Sequence, residues 1–477
     1  MSRIFFIQPD SSEYAGIMSM SSLIKRHGHD ARVSIALESR IILGELRQSC
    51  ADIVAFSCMT PSYPWALEQA KIIKKNYSLP IIFGGCHSTF NPEIISEPTI
   101  DMICCGEGEY PLLELMDTLA RQGDITRINN LTLKYNGVLY RNEVRPLMED
   151  LDNLPFPDRS IYYERYKFLK SYPAKHFMSA RGCPFDCSYC YNHQLSKIYR
   201  GKGKYVRRKS PGYFVSEIEE IKMKYGLKVA IFDDDIFAIN PQWLSEFIPA
   251  YLKRVGVPFA CSIRVDVVTE EIVKLLKEGG CFQVSFGLET GNEELRQLVL
   301  KKRVTDKQIT EAARLLKRYK IPFLTNNMMG IPTETIEQAC ETIRLNSRIG
   351  TDVPWCSILQ PFPKTEIADF AIAKGLLNSD YDKSFYPSFF IKNPIKQENI
   401  RQLWNLQKFF IVAVKFPFFL PLIKYLIKFT PNRFFDFIFT VSYFTTYKRR
   451  HNVSWLTAFL FGLKTKRQIN ATRKTTS

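Results

Sequence analysis

Short runs of isoleucine, valine and phenylalanine alternate, through most of the first 365 residues, with stretches whose apolar positions recur every three or four residues. The runs predict strands buried on both faces, and the 3.6-residue recurrence predicts helices. Up to about residue 125 the strands are Arg3–Pro9, Ala31–Leu37, Asp52–Cys58, Pro80–Gly85 and Met102–Gly106, with helices over Gly16–His27 and Pro64–Tyr77. Such alternation predicts a parallel, doubly wound, Rossmann-like α/β sheet with its ligand crevice at the carboxyl ends of the strands. Leu131–Tyr135 and Val138–Tyr140 flank Asn136-Gly137, a tight hairpin signal. Pro155 and Pro157, set among acids in residues 149–158, predict a linker.

The pattern resumes at residue 173. Strands are expected over His176–Arg181, Val229–Asp233, Phe259–Arg264, Phe282–Leu288, Phe323–Met329 and Pro354–Gln360. Helices such as Ser216–Tyr225, Gln242–Val255, Thr269–Glu278, Asp306–Tyr319 and Glu334–Ile349 separate them. Six strand–helix units are too few to close an eight-stranded barrel, so a partial (β/α)6 barrel is expected. The chain therefore divides into residues 1–147 with the hairpin as an extension, a linker over 148–172, the partial barrel over 173–365, and a mainly helical region over 366–477.

Charge changes the picture only at the end. The net charge is +17 over 477 residues, yet residues 391–477 hold 16 Lys and Arg against Glu398 and Asp436. The catalytic part is thus close to neutral. Phe409–Phe429 is long enough to suggest a membrane span, but Lys415, Pro417, Pro421 and Lys424 interrupt it. Phe434–Tyr447 is a second apolar stretch, followed by Lys448-Arg449-Arg450 and by Lys464, Lys466 and Arg467. Apolar faces flanked by cations predict helices lying in an anionic membrane surface and point to a lipid-like substrate. A helical cap packed on the barrel is the alternative, and nucleic-acid binding is the least favoured of the three. The twelve cysteines are irregularly spaced and the N-terminus reads as a buried strand, not a signal peptide. Both point to a reducing, cytoplasmic setting, with any membrane contact peripheral and at the inner face.

Three of those cysteines carry the chemistry. Cys183, Cys187 and Cys190 stand at C-x3-C-x2-C spacing on a loop turned by Gly182 and Pro184. A four-iron cluster normally takes four thiolates, so three leave one iron open to a ligand. Structural zinc with His193 as a fourth ligand is the competing use of the same residues.

With Tyr189 just before the last cysteine, this motif resembles that of the radical SAM superfamily, and residues 173–365 resemble its partial barrel. The resemblance implies a [4Fe–4S] cluster on Cys183, Cys187 and Cys190, with S-adenosylmethionine (SAM) on the open iron. It implies SAM contacts from four further positions. Asp234, in the acidic stretch after the second barrel strand, corresponds to the segment that meets the amino group. Arg264 is placed to clamp the carboxylate, with an ion pair to Asp266 or Glu289 as the alternative. Glu289 matches a cofactor-contacting glutamate, and Gly330 lies in the loop that packs the adenine.

Residues 1–125 are similar to the cobalamin-binding domain found ahead of many radical SAM barrels. Small residues at strand ends let the backbone approach a bulky ligand. Ser57, Thr60, Gly84, Gly85, His87, Gly106 and Glu107 are the expected contacts. No G-x-G-x-x-G follows the first strand, which disfavours a dinucleotide. The Asp-x-His-x-x-Gly loop of histidine-ligating cobalamin domains is also missing, for the stretch reads Pro9-Asp10-Ser11-Ser12-Glu13-Tyr14. The resemblance implies a cobalamin-dependent radical SAM enzyme of the class B methyltransferase or anaerobic cyclase kind. In it a SAM-derived 5′-deoxyadenosyl radical activates an unreactive carbon for methyl transfer from methylcobalamin. A ring-forming or rearranging enzyme is the first alternative. An RNA or protein methylthiotransferase and a non-enzymatic iron–sulfur or cobalamin sensor follow it. The implied partners are a small-molecule or lipid-like substrate and a one-electron reductant such as a flavodoxin or ferredoxin.

Overall fold

The computed structural model describes residues 1–381 and 388–451. Lys464, Lys466 and Arg467 lie outside the described residues, as do the side chains of Lys448, Arg449 and Arg450. The described chain forms two units: Met1–Tyr172 with Leu195–Arg207, and Pro173–Gln194 with the described residues from Arg208 to His451.

In the first unit, β1 (Arg3–Gln8), β2 (Asp30–Ile35), β3 (Ile53–Ser57), β4 (Ile81–Gly84) and β5 (Met102–Cys104) are parallel, in the order β2-β1-β3-β4-β5. Every side chain from Ile4 to Ile7 is buried, as expected where helices cover both faces of a sheet. Two helices that the apolar pattern does not mark, Ser39–Ser49 and Glu109–Ala120, complete those layers. The hairpin β6 (Leu131–Tyr135) and β7 (Val138–Arg141) adds an antiparallel edge. Its turn residues Asn136 and Gly137 have φ of 51° and 77°, the left-handed values of a two-residue hairpin. Strand order reverses between β1 and β3, which puts the crevice of this sheet beyond their carboxyl ends.

Residues 148–172 are not a free tether. Tyr162 is fully buried, donates to Gln8 Oε1 at 2.6 Å and accepts from the Tyr14 N–H at 3.2 Å. Arg159 pairs with Glu13 at 2.6 Å. Prolines and acids suggest a linker, but the tyrosines that follow them dock the segment onto the first unit through buried rings with hydrogen-bonded tips.

The second unit holds β8 (Ala174–Phe177), β9 (Val229–Phe232), β10 (Phe259–Ile263), β11 (Cys281–Glu289), β12 (Phe323–Met329) and β13 (Val353–Ile358). All six are parallel and each pairs with its neighbour in chain order, the arrangement of a partial barrel. Helix starts are written locally. Asn240, Thr269, Thr305 and Thr335 each accept the N–H three residues on, and Thr305–Gln308 and Thr335–Gln338 form reciprocal capping boxes. The first strand ends at Phe177, short of the expected Arg181, and Ala180–Arg181 forms a separate short strand outside this sheet, with Ser179 between them hydrogen-bonded to Asp234.

Past the sheet, helix Ile400–Lys415 buries Leu403, Leu406, Phe410 and Ala413 in one core with Cys356 and Ile358 of β13. Leu420, Ile423 and Ile427 join the same core. About half of the apolar tail is therefore a helical cap on the sheet. Among the described residues, no helix is long and apolar enough to cross a membrane.

Candidate functional site

The three cysteines lie on the loop after β8, pinned at its middle. Ser188 donates from Oγ to Val299 O at 2.7 Å and from its N–H to Leu300 O at 2.9 Å, and its own carbonyl accepts from Ile367 N at 3.0 Å. The Cys190 N–H donates to Cys187 O at 3.1 Å and tightens the last turn. The guanidinium of Arg264, at the end of β10, stacks 3.7 Å from the Phe185 ring centroid and donates through Nη1 to Cys187 Sγ at 3.5 Å. Its Nε meets both oxygens of Asp266, at 2.8 and 3.0 Å. The ion pair weighed as an alternative use of Arg264 does form, yet the same side chain also reaches a cluster cysteine.

Glu289 closes β11 across a register shift after Gly287, with φ of 67°, a left-handed conformation that a non-glycine residue adopts only under constraint. The constraint is visible. Glu289 Oε1 accepts from Lys302 Nζ at 2.8 Å and from the Tyr189 hydroxyl at 3.0 Å, all three side chains being buried or nearly so. A Cβ on Gly287 would collide with the Glu289 carboxylate and the Lys302 ammonium. Burial, with the neighbouring carboxylate, holds the Tyr189 hydroxyl well above its usual pKa. Sequence reasoning named Glu289 but missed Lys302 and the space left by Gly287, since a lysine in Leu300–Val304 reads as surface.

The acidic stretch after β9 is not one solvated loop. Asp233 pairs with His176 at 2.8 Å on the exposed side. Asp234 is buried, and its two oxygens take the Ser179 N–H at 3.2 Å and hydroxyl at 2.8 Å. Burial raises its pKa, while Arg208 and those hydrogen bonds oppose the rise. Asp235 acts on the thiols through its charge, which is among the causes that, after burial, raise both Cys183 and Cys190, and its side chain hydrogen-bonds Asn192. Asp234 is thus taken up in holding the chain into the cysteine loop, and Asp235 is the acid whose charge acts on it.

The loop after β12 is locked by a carboxylate beneath it. Glu334 is 1% exposed and its Oε2 accepts from the N–H groups of Gly330, at 2.8 Å, and Ile331, at 3.2 Å. Gly330 has φ of 78°, and its carbonyl accepts from Asn393 Nδ2 at 3.1 Å. Glu334 Oε1 has no partner, and burial pushes the group up to about 8. The folded carboxyl therefore holds its proton more tightly than an unfolded one at its ordinary 4.5. Its contribution to stability is fully present below about pH 4.5 and is lost as the pH rises towards 8. Glu334→Gln keeps an acceptor for both N–H groups and carries no charge. Its melting midpoint is expected to match the wild type in mildly acidic buffer and to exceed it by several degrees in mildly alkaline buffer. Parallel pH profiles for the two proteins would refute this.

These residues fit the cluster that the motif implies. Three thiols share one loop and a guanidinium donates to one of them, while His193 Nε2 lies 2.8 Å from Glu366 Oε1. Among the described residues, no three His, Cys, Asp or Glu converge closely enough for a single ion, whereas the thiolates of a four-iron cube sit on different irons.

In the first unit the strand-end loops meet around Thr89. Its hydroxyl donates to Gly85 O at 2.9 Å and accepts from the Gly106 N–H at 2.9 Å. Gly85 has φ of 88°, and a Cβ there would stand 2.7 Å from Cys58 O, so only glycine lets the loops after β3 and β4 touch. At Gly84 an added Cβ would meet Cys104 Cβ and Phe56 O at 4.0 Å, ordinary contact distances, so no clash forces glycine there. His87 is buried, stacked 4.1 Å from Tyr63, with Nδ1 3.2 Å from Thr60 Oγ1 and 3.3 Å from Asn91 Nδ2. Burial lowers its pKa to about 4, so the ring is neutral, and its Nε2 has no partner. His87 is therefore not a surface residue. An orphaned buried imidazole nitrogen at these strand ends fits a ligand over Ser57, Thr60, Gly84, Gly85 and His87. Gly106 and Glu107 are less open, because Arg207 holds both Glu107 oxygens and the Glu107 N–H donates to Tyr199 Oη at 2.8 Å. The loop after β1 closes on itself, with Tyr14 donating to Asp10 at 2.7 Å.

Known proteins resemble both halves of the chain. A model of the radical SAM superfamily matches residues 178–345, and one of the B12 binding domain matches residues 14–116. The chain is 30% identical over 373 residues to an uncharacterized methyltransferase of Pyrococcus horikoshii, covering 76% of this chain and 79% of that protein. It is 27% identical over 460 residues to the anaerobic magnesium-protoporphyrin IX monomethyl ester cyclase of Rubrivivax gelatinosus, covering 84% and 80%. Its fold is similar to the solved structure of the radical S-adenosylmethionine methyltransferase TsrM from Kitasatospora setae with cobalamin and [4Fe-4S] cluster bound, at TM-score 0.64, 17% identity and 80% of each chain.

Proposed function

The chain belongs to the radical SAM superfamily and carries a B12-binding domain, and on that footing we propose that it transfers a methyl group to an unactivated carbon of a small or lipid-like molecule. One observation carries the reading: a three-thiol loop backed by Arg264 on one side and by the Tyr189–Glu289–Lys302 group on the other. When bound, the cluster supplies the electron that opens SAM to a 5′-deoxyadenosyl radical, and methylcobalamin supplies the methyl group.

The residues divide that work. Cys183, Cys187 and Cys190 hold the cluster, and Arg264 positions Cys187 while offering donors to the SAM carboxylate. Asp235 takes the SAM amino group, with Asp234 fixing the loop behind it. Glu289 presents its second oxygen to the cofactor, and the locked Gly330 turn gives the adenine a flat wall. Ser57, Thr60, Gly84, Gly85 and His87 would cradle cobalamin, and the loop after β1, Pro9-Asp10-Ser11-Ser12-Glu13-Tyr14, offers it no histidine. The electron comes from an external one-electron donor such as a flavodoxin or ferredoxin in a reducing compartment.

The test uses the anaerobically reconstituted protein with cobalamin, a low-potential reductant and SAM labelled in its methyl group. Label is expected in an extractable product, alongside 5′-deoxyadenosine. Deoxyadenosine with no label in product would favour ring formation, the reading that the similarity to a cyclase along 84% of this chain supports. Formation of neither would end the proposal.

A further inference from the structure

We infer that the C-terminal cap of the second unit is an anionic-membrane docking surface, built from apolar side chains that the cap does not use for packing. Helix Leu420–Leu426 and the turn after it bury Leu420, Ile423 and Ile427 against the sheet-side core. The opposite stripe is apolar too. Phe418, Leu422, Tyr425 and Phe429 follow one another at helical spacing and are 70%, 53%, 59% and 51% exposed. On helix Arg433–His451, Phe434, Phe437 and Val441 repeat the pattern and are likewise exposed. Of the 19 large apolar side chains exposed among the described residues, nine fall between Phe416 and Val441. A patch this concentrated marks a contact surface, whereas isolated exposed apolar residues do not.

The charge around the patch selects its occupant. Lys428 and Arg433 stand exposed between the two stripes. Helices apolar toward the outside, flanked by such cations and too short or too interrupted to span, lie in the headgroup layer of an anionic bilayer. Lys424 is directed elsewhere, paired with Glu337 at 2.7 Å, so the helix presents its aromatic stripe without a cation in its middle.

The experiment takes the full, cluster-loaded chain and sediments it with vesicles, either pure phosphatidylcholine or with about a third phosphatidylglycerol. Binding is expected to the anionic vesicles at low salt and to fall as salt rises. The Phe418→Ser/Tyr425→Ser double variant should bind about tenfold more weakly. The Lys428→Glu/Arg433→Glu variant should lose the preference for anionic vesicles. Both replace exposed side chains and should keep the wild-type melting midpoint and iron content. Absence of vesicle binding, equal binding to neutral vesicles, or a serine variant that binds like the wild type would overturn the inference. So would a dimer in solution that the serine variant dissociates, since the patch would then belong to a second copy of the chain.

Discussion

Cys190→Ala is expected to fold as the wild type does and to lose its iron, its cluster absorbance and all formation of 5′-deoxyadenosine. The loop does not depend on this thiol, since Ser188 holds it through three hydrogen bonds and the Cys190 N–H bond to Cys187 O survives the substitution. What goes is one of only three ligands. Loss of a group that merely orients a metal ligand costs about 10- to 100-fold in affinity or activity, and loss of the ligand itself should cost more. Iron and sulfide analysis after anaerobic reconstitution, with circular dichroism as the folding control, reads the result. His193→Ala is the matching control and should retain its iron, because a four-iron cluster on three thiols needs no imidazole ligand. Full iron in the Cys190 variant, or loss of iron in the His193 variant, would reverse the ligand assignment.

Arg296→Met should lower stability by about 3 kcal/mol and weaken SAM binding at a distance. Arg296 is fully buried on the turn Leu295–Val299. It donates to Thr290 O at 2.6 Å, to Val304 O at 2.8 Å and to Asp306 at 2.6 Å. Methionine fills much of the same volume but strands two buried carbonyls, and it is that desolvation cost which the substitution exposes. Thr290 follows Glu289 and Val304 lies two residues beyond Lys302, so the guanidinium ties together the two chain segments that form the Glu289–Lys302 pair. The melting midpoint reports the first effect and SAM titration of the reconstituted protein the second. A variant with the wild-type midpoint would show that water or relaxation satisfies those carbonyls.

Much of the site was legible because its chemistry is local. Cys183, Cys187 and Cys190 need only spacing and a loop, and Thr305–Gln308 and Thr335–Gln338 mark helix starts through side chains three residues apart. Glu289 and Gly330 were placed by the family resemblance, at strand ends where parallel sheets gather function. Lys302, Gly287 and Glu334 could not. Each matters through a partner whose position depends on how strands and loops fold back, such as the Glu289 carboxylate over Gly287 or the Gly330 amide over Glu334. The acidic triplet shows the same divide, for three adjacent aspartates look alike in a string and in space meet a histidine, a serine and, through charge, the thiols.

By itself, then, the sequence determined the two-domain α/β plan, the cluster loop and the family chemistry, because apolar periodicity, capping and cysteine spacing act over a few residues. Only the tertiary structure decided which aspartate acts on the thiols, which carboxylate is locked under the Gly330 turn, and which half of the apolar tail is core. Hydrophobicity tells that a residue prefers to leave water, and the same preference is met at Ile423 by the protein's own core and left unmet at Phe418. That distinction depends on what packs opposite each side chain.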